Sequence, residues 1–124
     1  MRHQSKQYVR WDDLDAFGHV NNAKYLTYAQ EARFAWSGIL EMVVARAEVD
    51  FIAPIYDGNT FLDVELWVSA IGTSSFTMTY EISLNGELVA RVKTVQVTVD
   101  MATKKSKPIG DEQRAFLTQY FESE

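Results

Sequence analysis

The sequence predicts an α+β fold, in which one helical segment is followed by a run of antiparallel strands. Apolar residues recur at three- and four-residue spacing over residues 22–40, which is helical periodicity. Apolar and polar residues then alternate through most of residues 43–101, which is typical of strands. Helix and strands that occur in separate runs favour an α+β fold over a doubly wound parallel sheet.

The first strand, the helix and the second strand each have a local signal in the sequence. A short first strand is predicted over residues 7–11, and the helix that follows has a broad apolar face, typical of a helix wrapped by other structure. Asn21 and Asn22 stand at the expected helix start, where asparagine is a favoured N-cap. The next strand begins at Val43 and should end near Pro54, which has no backbone N–H for pairing.

The later strands carry the clearest patterns. Alternation predicts strands over residues 62–70 and 76–84, and Asn85-Gly86 predicts a type I′ hairpin turn because both residues tolerate a positive φ. In the last strand the apolar positions change parity, which predicts a β-bulge near Lys93-Thr94. A short C-terminal helix over residues 111–121 should pack through Ala115, Leu117, Tyr120 and Phe121.

Composition narrows the class of protein. With 124 residues and 47% hydrophobic residues, the chain is expected to form a single domain, residues 1–124, with a real core. A net charge of -5 argues against nucleic acid as a partner. No apolar run predicts a membrane span, no signal peptide is evident, and cysteine is absent, so we expect a cytoplasmic protein.

The segment before the helix carries the chemistry. Asp12, Asp13 and Asp15 lie between the first strand and a glycine turn, directly before the predicted helix start. A helix N-terminus offers unpaired N–H groups that can stabilise an oxyanion, and a carboxylate beside it can attack or activate water. The plainer alternative is a solvated acidic loop followed by an ordinary helix cap.

A longer motif surrounds these residues. The string D-x-D-x-x-G-H-V-N-N-x-x-Y begins at Asp13, and Glu31-Ala32-Arg33 follows on the helix. This motif and the order of elements resemble the 4-hydroxybenzoyl-CoA thioesterase family of hot-dog-fold proteins, and most closely its broad acyl-CoA thioesterase branch. The resemblance implies an antiparallel sheet wrapped around a long central helix, a short C-terminal helix, and a homodimer that can pair into a homotetramer.

The resemblance also implies roles for residues of the motif. The family's catalytic carboxylate falls on Asp15, with Asp13 as the rival position, and the helix N–H that polarises the thioester carbonyl falls at Asn22. Gly18 allows the tight turn between them. Asp15 would act as a nucleophile, through a mixed anhydride, or as a general base on water.

Other candidates rest on weaker signals. His19 could orient the substrate or a neighbouring group, although a histidine in a turn is commonly a structural hydrogen-bonding residue. Four further sets are candidate substrate-binding residues: Tyr25, Glu31, the hydroxyls of Ser74 and Ser75, and the basic pair Lys104 and Lys105 for the coenzyme A phosphates. Each set also has a purely structural interpretation. Tyr25 would be a core residue and Glu31 a buried polar partner, whereas the serines would belong to an ordinary turn and the lysines to a solvated loop. Phe17, Trp36, Phe51 and Trp67 could line the acyl pocket.

The sequence therefore predicts an acyl-CoA thioester hydrolase that releases free coenzyme A and a carboxylic acid, with a fatty acyl substrate favoured. It predicts no bound cofactor and, with two isolated histidines, no metal site. One alternative is a hydratase or dehydratase of the same fold that pairs His19 with Glu31. Another is a non-catalytic module that binds acyl ligands. A second copy of the chain is expected to cover the exposed sheet face and complete the site.

Overall fold

In the part of the chain that the structure describes, five strands and two helices form around one apolar core. The computed structural model describes residues 1–37 and 41–123. In chain order the elements are β1 (His3–Val9), a single 3-10 turn (Trp11–Asp13), α1 (Lys24–Trp36), β2 (Met42–Phe51), β3 (Thr60–Ile71), β4 (Ser75–Leu84), β5 (Glu87–Thr98) and α2 (Asp111–Gln119). The strands form one antiparallel sheet in the order β1-β3-β4-β5-β2. The predicted α+β class is confirmed.

The strands with the strongest alternation lie where the sequence predicted them. β3 and β4 contain the predicted segments, and Asn85 and Gly86 have φ values of 52° and 83°, as a type I′ turn requires. The predicted first strand is wrong in position. Pairing with β3 begins at His3, and the chain leaves the sheet after Val9 because the Asp13 carboxylate accepts the Arg10 N–H and closes the 3-10 turn.

One face of the sheet packs against α1. Alternate residues of β3 and β4 point toward the helix and are fully buried: Leu62, Val64, Leu66 and Val68 from β3, and Phe76, Met78, Tyr80 and Ile82 from β4. The helix meets them with its own buried face, which is formed by Tyr25, Tyr28, Ala29, Ala32, Arg33 and Trp36. This burial of apolar surface is the main stabilising term of the fold.

The helix is shorter than the periodicity predicted. Before it begins, Asn21 accepts the Ala23 N–H on its side chain and the Lys24 N–H on its carbonyl, so an extra turn precedes α1. It ends at Trp36 because the backbone of Ser37 is extended. Helix α1 has 13 residues, and the predicted continuation through Ile39 and Leu40 lies outside the described residues.

The β-bulge predicted near Lys93-Thr94 is wrong, because residues 93–97 of β5 pair with β4 without a break in register. Thr94 and Gln96 face the core together with the apolar residues before them, and the register shift opposite this region lies in β2, between Val44 and Arg46. The inward positions are polar because they join a buried hydrogen-bond chain. The Arg33 guanidinium donates to the Tyr80 hydroxyl at 2.9 Å, Tyr80 and Thr94 share a hydrogen bond of 2.7 Å, and Thr94 donates to Gln96.

The second helix closes one end of the core. Phe116 and Tyr120 pack against Trp36 at ring-centroid distances of 5.1 and 5.4 Å, and Leu117 is fully buried. The predicted contacts of Ala115 and Phe121 are less complete because both side chains remain exposed.

The opposite face of the sheet is mostly charged. Trp67 lies on this face, where the Arg2 guanidinium, 3.7 Å from its ring centroid, covers it. Arg2 also pairs with Glu65 and Glu122 and thereby ties the start of the chain to its last described residues. β2 lies at the sheet edge, where among the described residues it pairs with β5 alone, and it exposes the apolar side chains of Val43, Val44 and Phe51.

Candidate active site

The loop between β1 and α1 folds back on itself and brings Asp15 beside His19. Leu14 and Val20 form an isolated antiparallel bridge, and the Asp15 N–H donates to the His19 carbonyl at 2.8 Å. Gly18 has a φ of +82° and its N–H donates to the Asp15 carbonyl at 3.1 Å. A residue with a side chain would be strained at this φ, so glycine is what allows the turn.

Asp13 is a structural carboxylate. It is only 6% exposed, and its Oδ2 accepts hydrogen bonds from the Tyr28 hydroxyl at 2.8 Å and from the Arg10 N–H at 3.0 Å. Its Oδ1 lies 3.7 Å from Lys24 Nζ. Burial and the neighbouring carboxylate raise the pKa of Tyr28 far above its ordinary value, so the phenol remains a donor to Asp13. This carboxylate holds the loop against α1.

Asp15 has the opposite surroundings. Its side chain is partly exposed, Oδ1 accepts the Phe17 N–H at 2.8 Å, and Oδ2 lies 3.3 Å from His19 Nδ1. The His19 ring is flanked by Phe17, which is stacked at 6.3 Å, and by the edge of Tyr56 at 6.3 Å. The loop therefore presents one carboxylate and one imidazole together at the surface.

The turn that precedes α1 supplies a free donor. No described residue accepts a hydrogen bond from the Asn22 N–H, whereas the N–H groups of Val20, Asn21 and Ala23 are all bonded within the protein. Because the positive end of the helix dipole lies here, a negatively charged oxygen would be stabilised at this position. Asn22 and His19 both line one open cleft.

The cleft has a volume of about 240 Å³ and lies between this loop, the start of α1 and the end of β2. Its lining residues are His19, Val20, Asn22, Tyr25, Phe51, Ile52, Ala53 and Pro54. Tyr25 stands edge-on to Phe51 with a centroid distance of 5.1 Å, and burial raises the pKa of the Tyr25 hydroxyl above its ordinary value. The walls are thus mostly apolar, with the polar groups gathered at one end.

The structure separates several predicted residues from this site. Glu31 was expected to be buried, but it points to solvent from α1 and makes no contact with His19, so the pair needed for a hydratase is not formed in the protomer. Ser74 and Ser75 lie at the β3–β4 turn, beside Thr98 at the end of β5, which pairs with Met42 at the start of β2. The cleft lies at the other end of β2, about 30 Å away for a strand of this length.

The basic pair is also remote within one chain. Lys104 and Lys105 are exposed in the loop after β5. The Val99 N–H donates to the Glu41 carbonyl and holds the start of this loop beside the start of β2. They therefore share the far end of the sheet with the serines. Of the expected pocket aromatics, Phe51 lines the cleft, but Trp36 packs under α2 and Trp67 lies on the opposite face.

Sequence reasoning missed two contributions to the site. Ile52 and Ala53 line the cleft, and Tyr56 flanks His19, although all three follow β2 and are far from the motif in sequence. The available signal was Pro54, which ends the strand and turns the chain back toward the loop: the Ile55 carbonyl accepts the Val20 N–H at 2.8 Å.

Residues 1–37 and 41–123, which the structure describes, contain neither a membrane-spanning helix nor a clustered set of metal ligands. Within those ranges no helix is both long and apolar enough to cross a bilayer. Nor do three or more side chains of histidine, cysteine, aspartate or glutamate come together there in a way that would hold a metal ion.

Sheet, helices and site together define a hot-dog fold of the thioesterase class. The sequence signature of the thioesterase-like superfamily matches residues 9–117. A predicted thioesterase from Bacillus stearothermophilus has the same fold, with a TM-score of 0.91, 25% identity and coverage of 100% of this chain and 99% of that one. The chain belongs to the thioesterase-like superfamily, and the predicted enzyme class is confirmed.

Relatives with named substrates differ from one another. The 1,4-dihydroxy-2-naphthoyl-CoA hydrolase of Synechococcus elongatus is 26% identical, covering 93% of this chain and 94% of its own. The long-chain acyl-CoA thioesterase FadM of Escherichia coli is 27% identical, covering 94% and 97%. A Thermus thermophilus thioesterase solved with coenzyme A and zinc is 30% identical, covers 94% and 92%, and has a TM-score of 0.86. The narrower 4-hydroxybenzoyl-CoA family stays a prediction.

Proposed function

We propose that this protein hydrolyses acyl-CoA thioesters at the loop that joins β1 to α1, releasing coenzyme A and a carboxylic acid. The proposal rests on one observation, that three chemically useful groups lie close together in this loop. One short loop and the helix start that follows it hold Asp15, His19 and Asn22, whose N–H is unbonded. His19 and Asn22 are lining residues of the cleft. A thioester carbonyl placed there would meet both an oxyanion donor and a carboxylate-bearing site.

The roles follow from the surroundings of each group. As the thioester carbonyl becomes tetrahedral, its oxygen gains negative charge, which the Asn22 N–H and the helix dipole stabilise. Asp15 is the essential carboxylate, since Asp13 is buried and already bonded to Tyr28 and Arg10. Two routes use this carboxylate, direct attack on the carbonyl or base-assisted attack by water.

We propose a fatty acyl group as the first substrate class. The apolar walls of the cleft and the named activity of the E. coli relative support it. An aryl group is the second candidate, supported by the edge-to-face rings of Tyr25 and Phe51 and by the name of the Synechococcus relative. Coenzyme A is the proposed carrier in both cases.

A second copy of the chain would bring the remote residues to the site. β2 is a sheet edge with free backbone groups and exposed apolar side chains, which favours pairing with the same strand of another molecule. Two-fold pairing is antiparallel, so the Met42 end of one β2 lies beside the Phe51 end of the other. We therefore propose a homodimer in which the partner's serine turn and its basic loop approach the cleft. Further pairing into a tetramer stays a prediction.

The activity is tested by thiol release from a panel of short, long and aryl acyl-CoA thioesters. Because the chain contains no cysteine, every thiol that a chromogenic reagent detects comes from the substrate. We expect release from at least one thioester class, and the preferred class identifies the acyl group. Hydration of an enoyl-CoA without thiol release would favour the hydratase, and binding without either reaction would favour the non-catalytic module.

Asp15→Asn and Asp13→Asn form a matched pair for the residue assignment. We expect Asp15→Asn to stay folded and to lower kcat/KM by about 10²- to 10⁴-fold, because it removes the carboxylate charge. Asp13→Asn should lower stability more than it lowers turnover. Normal turnover by Asp15→Asn together with an inactive but folded Asp13→Asn would reverse the assignment.

A further inference from the structure

The position of the hydrogen on the His19 ring follows from its neighbours. Nδ1 lies 3.3 Å from Asp15 Oδ2 and 3.4 Å from the Val20 carbonyl oxygen. Both neighbours are acceptors, and a nitrogen lone pair directed at two oxygens would be repelled. In the neutral ring the hydrogen therefore sits on Nδ1, and Nε2 carries the lone pair.

Asp15 is held so that it keeps this arrangement. Its second oxygen, Oδ1, accepts the Phe17 N–H, and its backbone bonds to both His19 and Gly18 fix the loop on either side. The carboxylate can neither rotate nor withdraw from the imidazole without breaking these bonds. This is the geometry by which an aspartate fixes the orientation and tautomer of a histidine.

His19 lines the cleft, and Asp15 does not. His19 and Asn22 are among its lining residues, whereas Asp15 is not and lies on the Nδ1 side of the ring. A water molecule in the cleft would therefore meet His19 before it met Asp15, with the Asn22 N–H close by as the oxyanion donor.

We infer that His19 is the general base of the hydrolysis and that Asp15 is its positioning residue. The inference rests on the proposed function: it selects attack by water over direct attack by Asp15, and it makes His19 the base through which the Asp15 carboxylate acts. His19 Nε2 takes a proton from water as the water oxygen bonds to the thioester carbon. The tetrahedral intermediate then expels the coenzyme A thiolate, which takes the proton from Nε2, so the products are the acid and the free thiol.

Few ionisable groups surround His19 among the described residues. Asp15 comes from the same loop, Tyr56 from the segment after β2, and Tyr25 from α1 lines the same cleft. Burial raises the pKa of Tyr25, so it stays neutral. Among the described residues that contact the ring or share the cleft, Asp15 is the one carboxylate. It stabilises the imidazolium formed when water is deprotonated.

The matched test is His19→Gln against His3→Gln, which removes the chain's other histidine, on β1. We expect His19→Gln to lower kcat/KM by about 10²- to 10⁴-fold at an unchanged Tm, and His3→Gln to retain activity. Wild-type kcat/KM should fall on acidification, because a protonated Nε2 has no lone pair with which to accept a proton from water. The residual activity of His19→Gln should lack that fall.

A second measurement separates a base from a merely structural histidine. The His19 side chain is 35% exposed and borders an open cleft, so added imidazole can reach the space left in His19→Ala. We expect imidazole to restore part of the activity of His19→Ala and to have no effect on His3→Ala. A folded His19→Ala that imidazole does not rescue, or a His19→Gln with wild-type kcat/KM, would overturn the inference. Failure of the wild type to release any thiol would instead count against the proposed function.

Discussion

Asp13 and Asp15 are two residues apart, yet the chain gives them opposite tasks. Asp13 is enclosed and receives donors from Tyr28 and from the 3-10 turn, whereas Asp15 keeps an oxygen directed at His19. Buried carboxylates are tolerated when hydrogen bonds replace the lost water, so the Tyr28 hydroxyl is part of what allows Asp13 to be buried.

Removing that hydroxyl should be costly. We expect Tyr28→Phe to lower the free energy of unfolding by about 1.5–3 kcal/mol, the usual range for a hydrogen bond to a charged group. Chemical denaturation measures it, and Tyr56→Phe is the control, because Tyr56 is exposed and its change should stay within about 0.5 kcal/mol. A Tyr28→Phe variant as stable as the wild type would show that the Asp13 carboxylate is satisfied without it.

At the scale of elements, the β4–β5 hairpin depends on its turn. Asn85 and Gly86 both have positive φ, and a Cβ built on Gly86 would meet no atom within 4 Å. Any effect of a side chain at position 86 must therefore come from the backbone conformation and not from a clash.

The turn gives a matched pair of substitutions. We expect Gly86→Ala to destabilise the protein by about 1–2 kcal/mol, the cost of holding an L-residue in the left-handed region. Asn85→Gly should stay within about 0.5 kcal/mol, because relief of φ strain is offset by greater freedom in the unfolded chain. Both are read from denaturation midpoints. Equal stability of Gly86→Ala and wild type would contradict the assigned turn.

Elements with local signals were predictable from sequence, and those decided by distant partners were not. The alternation of β3 and β4 and the Asn85-Gly86 turn depend on neighbouring residues alone. The inward positions of β5 are polar because Arg33 on α1 supplies their hydrogen bonds, and no local pattern shows this. Alternation therefore misplaced a bulge in β5.

The site divides in the same way. Asp15, His19 and Asn22 fall within one loop and its helix start, so their proximity could be read from the motif. The serine turn and the basic loop lie at the far end of the sheet, and only strand direction and a second copy can relate them to the cleft.

At the scale of the whole molecule, the proposed dimer has a direct test. We expect a mass in solution of about twice the 14.2 kDa chain, measured by light scattering. The double variant Val43→Lys, Val44→Lys places charge on the exposed β2 edge, so it should shift the protein to monomer and lower turnover together.

The control changes the opposite edge of the sheet. Tyr8→Lys, Phe61→Lys replaces two exposed aromatic side chains on β1 and β3 and should leave the dimer intact. If this control dissociates the dimer while the β2 variant does not, the interface lies at β1. Full turnover by a β2 variant that is monomeric would contradict a site completed by the partner.

The hydrogen-bond chain from Arg33 through Tyr80 to Thr94 also favours one alignment of β5 against β4. A slip of β5 by one residue against β4 would turn Val95 and Val97 toward the helix and move Thr94 and Gln96 outward. In the second half of β5 hydrophobic burial alone would favour that wrong alignment, although in the first half the slip would turn Arg91 and Lys93 toward the core. It would also leave the Arg33 guanidinium buried with fewer acceptors, and an unpaired buried charge costs several kcal/mol. The most polar part of the core thus secures the correct alignment of an otherwise valine-rich strand.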